Sequence, residues 1–180
     1  LELKKQDDVL QELKSNIGSL RNEIARKERQ REELNRRIAA LIAEKSKSMP
    51  ASPAVTALSS NFAKNKGKLP WPTTQGVIVK NFGQQSHPLI KNIKIENDGV
   101  DIQVDPGSTI RSVFDGTVVK ALYIGEFNMV VVVNHGSYFT VYSNLKEVYV
   151  SENQKVSRED PLGIVGENRD GVPVLHFELW

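Results

Sequence analysis

Gly171-Val172-Pro173-Val174-Leu175-His176-Phe177-Glu178 sets one histidine and one carboxylate into an otherwise apolar run near the C-terminus. Working back from it, the chain shows short runs rich in Val, Ile, Tyr and Phe: Gly76–Lys80, Thr109–Val113, Gly116–Ile124, Asn128–Asn134 and Tyr138–Ser143. Gly, Asn, Asp and Pro separate these runs. Asp105-Pro106-Gly107-Ser108 and Asn134-His135-Gly136-Ser137 carry turn chemistry, because Pro fixes φ and Gly supplies φ > 0. This spacing predicts a mainly β, antiparallel domain.

The chain of 180 residues has room for one ordinary domain and an accessory element. Charged residues at 26% and apolar residues at 39% fit a folded globular protein. The net charge is +2 and no basic cluster is interleaved with aromatics, so no nucleic-acid footprint is indicated. With no cysteine, disulfides, Cys-ligated zinc and thiol catalysis are excluded. The longest apolar run, Met129–Val133, falls far short of the roughly 20 residues a membrane-spanning helix needs. Opening at Leu1 without a signal-type segment, the sequence reads as a fragment or a processed form.

Residues 1–47 have a different texture. Leu3, Leu10, Leu13, Ile17, Leu20, Ile24, Leu34, Ile38 and Leu41 fall on one a/d seam in a single register, among dense Glu, Lys, Arg and Gln. That pattern predicts a coiled-coil helix, about 70 Å long at 1.5 Å per residue. So narrow a seam calls for a partner helix, from another copy or from sequence outside this chain. Lys27 and Arg31 share the seam; either their stems snorkel to solvent, or they mark a hinge or a partner contact. Residues 48–70 read as a linker in which Ser and two prolines break the helix. Within it a short amphipathic helix is predicted at about 54–65, with Val55, Leu58 and Phe62 on one face. Residues 71–180 form the β domain.

Several ordered motifs in residues 69–180 resemble the lysostaphin/LytM-type zinc peptidases. Phe82-Gly83 with His87-Pro88 resembles the family's F-G…H-P, and Asn97-Asp98-Gly99-Val100-Asp101-Ile102 resembles H-x-G-x-D-I. Asp115–Val119 resembles its G-x-V strand, and Tyr142-Ser143-Asn144-Leu145 resembles Y-x-H-L. The opening stretch resembles G-x-P-H-L-H-F-E. The resemblance implies zinc ligands at positions 97, 101 and 176 and catalytic histidines at 144 and 174. Only Asp101 and His176 keep their types, while Asn97, Asn144 and Val174 do not.

An Asn amide is a poor zinc donor, and catalytic zinc needs three protein ligands. Val174 can neither coordinate metal nor transfer a proton. The expectation is therefore no enzyme, no catalytic residue, no metal and no other cofactor. Asn97, Asp101, Asn144, Val174 and His176 instead line a degenerate groove that binds a partner. Without metal, Asp101 is expected to cap or bond nearby backbone, and His176 is either a vestigial ligand or a satisfied buried histidine. His135 and His87 read as structural.

Together, a long coiled coil, a linker and a metal-dead LytM-like domain resemble the EnvC-type murein hydrolase activators. That resemblance implies an extracytoplasmic envelope protein of cell division, activating an N-acetylmuramoyl-L-alanine amidase through the groove. It also implies that the coiled coil engages an FtsEX-like ABC transporter complex. The Val55, Leu58, Phe62 face adds a possible self-inhibitory helix that fills the groove. The alternative reading is a peptidoglycan-binding tether without amidase activation.

Overall fold

The computed structural model describes residues 2–86 and 93–180. Helix α1 runs from Glu2 to Ser48 and helix α2 from Pro53 to Lys64. Ser52 caps α2, its side chain accepting the Val55 N–H at 3.3 Å, and Pro53 occupies the first turn, where its missing N–H costs nothing. Eleven strands follow among the described residues: β1 Val77–Lys80, β2 Gly83–Ser86, β3 Lys94–Asn97, β4 Val100–Gln103, β5 Thr109–Arg111, β6 Gly116–Tyr123, β7 Met129–Asn134, β8 Phe139–Val148, β9 Lys155–Val156, β10 Pro161–Val165 and β11 Val174–Leu179. The main sheet is antiparallel in the order β1-β4-β11-β8-β7-β6-β9, with β10 joining β8 to β5. β2 and β3 form a separate ribbon.

Alternation along the strands gives this sheet two different faces. Ile102, Val131, Val133, Tyr142, Leu145 and Leu175 point to one side and build the main core. Phe62 of α2 belongs to that core: its ring stacks on His135 at 4.9 Å and on Tyr138 at 5.0 Å, and meets Phe114 edge-on at 5.3 Å. Gly136, at φ +91°, is required under α2, because a Cβ there would strike the Ser59 hydroxyl.

The opposite face carries Val130, Val132, Phe139 and Val141, and α1 covers it. Leu34 and Ile38 are fully buried against these residues, with Ile42 and Met49 packed at the edge. The a/d seam therefore divides. Its C-terminal part needs no partner helix, because the chain's own β domain provides the apolar surface. Its N-terminal part stays open, with Leu10, Leu13 and Ile17 exposed. Lys27 pairs with Glu23 at 3.1 Å and stays in solvent, whereas the Arg31 side chain is only 18% exposed and reaches Asp98 at 3.5 Å.

Leu34→Ala is expected to cost about 2–5 kcal/mol, the range for emptying a buried leucine site. Leu13→Ala, on the open seam, is expected to change stability by less than about 0.5 kcal/mol. Urea denaturation of the two variants checks this; equal losses would contradict the docking of α1.

Candidate partner-binding site

Register brings the degenerate positions together. His176 of β11 pairs with Asp101 of β4 on one side and Ser143 of β8 on the other, and Val174 pairs with Gln103. Alternation puts Val141, Ser143, Val174, His176, Glu178 and Asp101 on the face that α1 crosses. Gly99 permits the approach of the turn before β4, since any Cβ there would run into the Phe177 carbonyl.

His176 is held from both ends. Its Nδ1 donates to Asp101 Oδ1 at 2.6 Å and its Nε2 to Glu178 Oε1 at 3.0 Å. Trp180 Nε1 donates to the other Glu178 oxygen at 2.6 Å, and Lys80 Nζ lies 3.4 Å from Asp101 Oδ2. Burial alone would lower the His176 pKa, but the hydrogen bonds to Asp101 and then Glu178 outweigh it and push it up to about 9. Burial would likewise raise the Asp101 carboxyl, yet His176 and then Lys80 hold it below the usual carboxylate range. An imidazolium at neutral pH thus sits between two carboxylates on this sheet face. Asp101 bonds side chains here, where the sequence suggested capping or backbone contacts, and His176, partly buried, has a hydrogen-bond partner at each ring nitrogen.

The other positions are committed to structure. Asn144, at φ +69°, donates through Nδ2 to the carbonyls of Gly166 (3.0 Å) and Val174 (2.6 Å), and its Oδ1 accepts from Asn128 at 2.6 Å. It therefore braces β8 to the segments around β10 and β11. Asn97, 7% exposed at the end of β3, donates to the Asn81 carbonyl at 3.2 Å. Val174 contributes only apolar surface.

This set does not fit a zinc ion. His176 is bonded at both nitrogens, Asn97 offers only an amide, Val174 offers no donor, and the Asn144 amide oxygen is occupied by Asn128. Among the described residues no group of three or more His, Asp or Glu side chains is arranged for a metal. Ser143, fully buried with an unpartnered hydroxyl, completes a Ser-His-Asp row across three strands. A protonated His176 gripped at both nitrogens cannot act as its general base.

Of the remaining sequence candidates, Phe62 lies in the core on the opposite face of the sheet from His176. Leu58 packs beside it, and Val55 is only partly covered. The helix on the groove face is α1. His135 is structural, bonded to the Asp115 carbonyl at 2.7 Å and Thr140 Oγ1 at 2.8 Å. His87 and Pro88 lie outside the described residues. Sequence reading passed over Glu178 as a site residue, although its place two residues beyond His176 in a strand puts both on one face. It also missed Lys80, Trp180 and the contact of Arg31 and Asn35 with Glu96 and Asp98, which depend on tertiary approach.

Residues 96–180 match the model of Peptidase family M23. The β domain is M23-like, with one long helix before it. Cell division protein DipM of Caulobacter vibrioides (strain NA1000 / CB15N) is 34% identical over 122 residues, covering 66% of this chain and 19% of that protein. Murein hydrolase activator EnvC of Escherichia coli (strain K12) is 25% identical over 185 residues, covering 94% of this chain and 43% of that protein. Among solved structures, a zinc containing peptidase from Vibrio cholerae aligns with a TM-score of 0.54 at 25% identity, covering 61% of this chain and 35% of that one. The chain spans less than half the length of each of these proteins. Its relatives thus include both a peptidase and a murein hydrolase activator.

The two histidines His176 and His135 predict opposite limbs of a stability–pH curve. His176, with a folded pKa of about 9 against an ordinary 6.5, contributes fully below pH 6.5 and loses its contribution as pH rises through 9. The loss is on the order of 3 kcal/mol, and His176→Gln should flatten it. His135, which burial pushes down to about 4, contributes fully above pH 6.5 and loses its contribution as pH falls towards 4. His135→Gln should flatten only the acid limb. Denaturant midpoints from pH 4 to 10 test both signs.

Proposed function

We propose that this protein is a non-catalytic activator of a peptidoglycan amidase in cell division, working in the envelope outside the cytoplasmic membrane. What carries the reading is the locked set Asp101–His176–Glu178, with Asn144 spent as a brace, on a face that holds a helix. A groove whose former metal positions bond one another has no water-activating centre. The same face receives Leu34 and Ile38, so its shape and chemistry suit an amphipathic helix lying on a strand platform.

On this reading a helix of the amidase replaces α1 on the groove face, and α1, rather than α2, is the segment that keeps the face covered. Arg31 and Asn35, bonded to the turn that follows Asn97, fasten it there. The groove can shift the amidase only by binding its open form more tightly than its closed form. The exposed seam of Leu10, Leu13 and Ile17 is the surface offered to an FtsEX-like ABC transporter complex. Displacement of α1 then links the two events.

Dye release from labelled cell-wall sacculi tests the reading. The protein alone should release nothing above buffer, and addition of it to a cognate amidase should raise release severalfold. Chelator-sensitive release by the protein alone would overturn it. Arg31→Ala, which loosens α1, should tighten amidase binding by roughly five- to tenfold, about 1–1.4 kcal/mol. Unchanged affinity would remove α1 from the pathway.

A further inference from the structure

Helix α1 meets the β domain along two flanks. On one flank Arg31 and Asn35 bond to Glu96 and Asp98. On the other a cavity of about 340 Å³ opens between the helix and the Ile124–Phe127 turn. Its helix wall presents three guanidiniums, Arg26, Arg29 and Arg37, with Gln30 among them, and Ile124 and Phe127 supply an apolar floor. Spacings of three, four and seven residues put these side chains on one helix face.

The two carboxylates at this cavity are already engaged. Glu33 pairs with Arg36 and Arg37, and Glu126 pairs with Arg169 of the loop before β11. Arg26 and Arg29 form neither an ion pair nor a side-chain hydrogen bond among the described residues. Their guanidiniums are therefore available to an anion bound in the cavity.

We propose that this cavity binds a phosphate ester, with Arg26 and Arg29 holding the phosphate and Ile124 and Phe127 taking its carbon portion. Forked guanidiniums match the several oxygens of a phosphate and keep their charge at any physiological pH. The volume lies at the small end of ligand sites and suits a phosphate with a few carbons rather than a polymer segment. One wall is α1 and the other belongs to the β domain, so the ligand recognises only the docked arrangement. By mass action it stabilises α1 on the groove face. The site rests on the docked helix and not on the amidase reading, and either can fail without the other. A soluble phosphate ester and a phospholipid headgroup share this chemistry.

Glycerol 3-phosphate, titrated by calorimetry and thermal unfolding at constant ionic strength, tests the soluble source. Vesicles of phosphatidylglycerol, against phosphatidylcholine, test the lipid source. Saturable binding or a saturable rise in Tm is expected with at least one of them. The double variant Arg26→Gln/Arg29→Gln should weaken it about tenfold or more. Arg21→Gln, an exposed position on α1 outside the cavity, should leave it unchanged. A response to glycerol 3-phosphate alone supports a soluble ester, and capture by phosphatidylglycerol but not phosphatidylcholine supports a headgroup. No saturable response to either probe, an equal loss in Arg21→Gln, or equal competition by an acidic peptide would overturn the proposal.

Discussion

Two carboxylates grip one imidazolium on the sheet face that α1 crosses, and the rest of the site follows from that contact. A partly buried histidine needs a partner at each ring nitrogen, and two acceptors satisfy both only when the ring is protonated. Here Asp101 and Glu178 take both nitrogens, and Trp180 and Lys80 fix the outer oxygens of the two carboxylates. The cluster carries its own counter-charge. A divalent cation would have to displace a bound proton and the hydrogen bond it makes to gain a single nitrogen ligand, and Asn97 would add only an amide oxygen beside Asp101. The β domain is M23-like, and the polar side chains of this face bond one another.

The second constraint is that the central sheet is buried on both faces. One face is closed by the main core and by Phe62, the other by Leu34 and Ile38. A strand face bearing Val130, Val132, Phe139 and Val141 cannot stay open to water without a large cost, since each such side chain is worth about 1.5–3 kcal/mol of burial. Any partner that removes α1 must therefore present apolar side chains of its own. On the proposed reading this requirement favours exchange of one helix for another over simple opening, with Arg31 and Asn35 as the polar contacts such an exchange would have to break.

Much of the fold was legible because period and punctuation agreed. The Val-rich runs became β6, β7 and β8, the short helix expected at about 54–65 is α2, with Pro53, read as a breaker, in its first turn, and the long helix is present. What α1 packs against was not legible. A 3-4 spacing states that one stripe is apolar but not whether a helix or a sheet covers it, so Leu34 and Ile38 looked like coiled-coil positions and proved to be sheet contacts. The substitutions at Asn97, Asn144 and Val174 were visible as departures from a motif. Their new roles were not, because the Asn144 brace joins residues far apart in sequence. The place of Phe62 in the core likewise depends on where His135 and Tyr138 come to rest.

The charge state of His176 tests the account most directly. Nitrogen chemical shifts of the histidine rings at pH 7.5, with zinc present at one equivalent, report protonation and coordination together. The account predicts that both His176 nitrogens are protonated, with no change on adding zinc. A neutral tautomer, or a zinc-induced shift at either nitrogen, would contradict it.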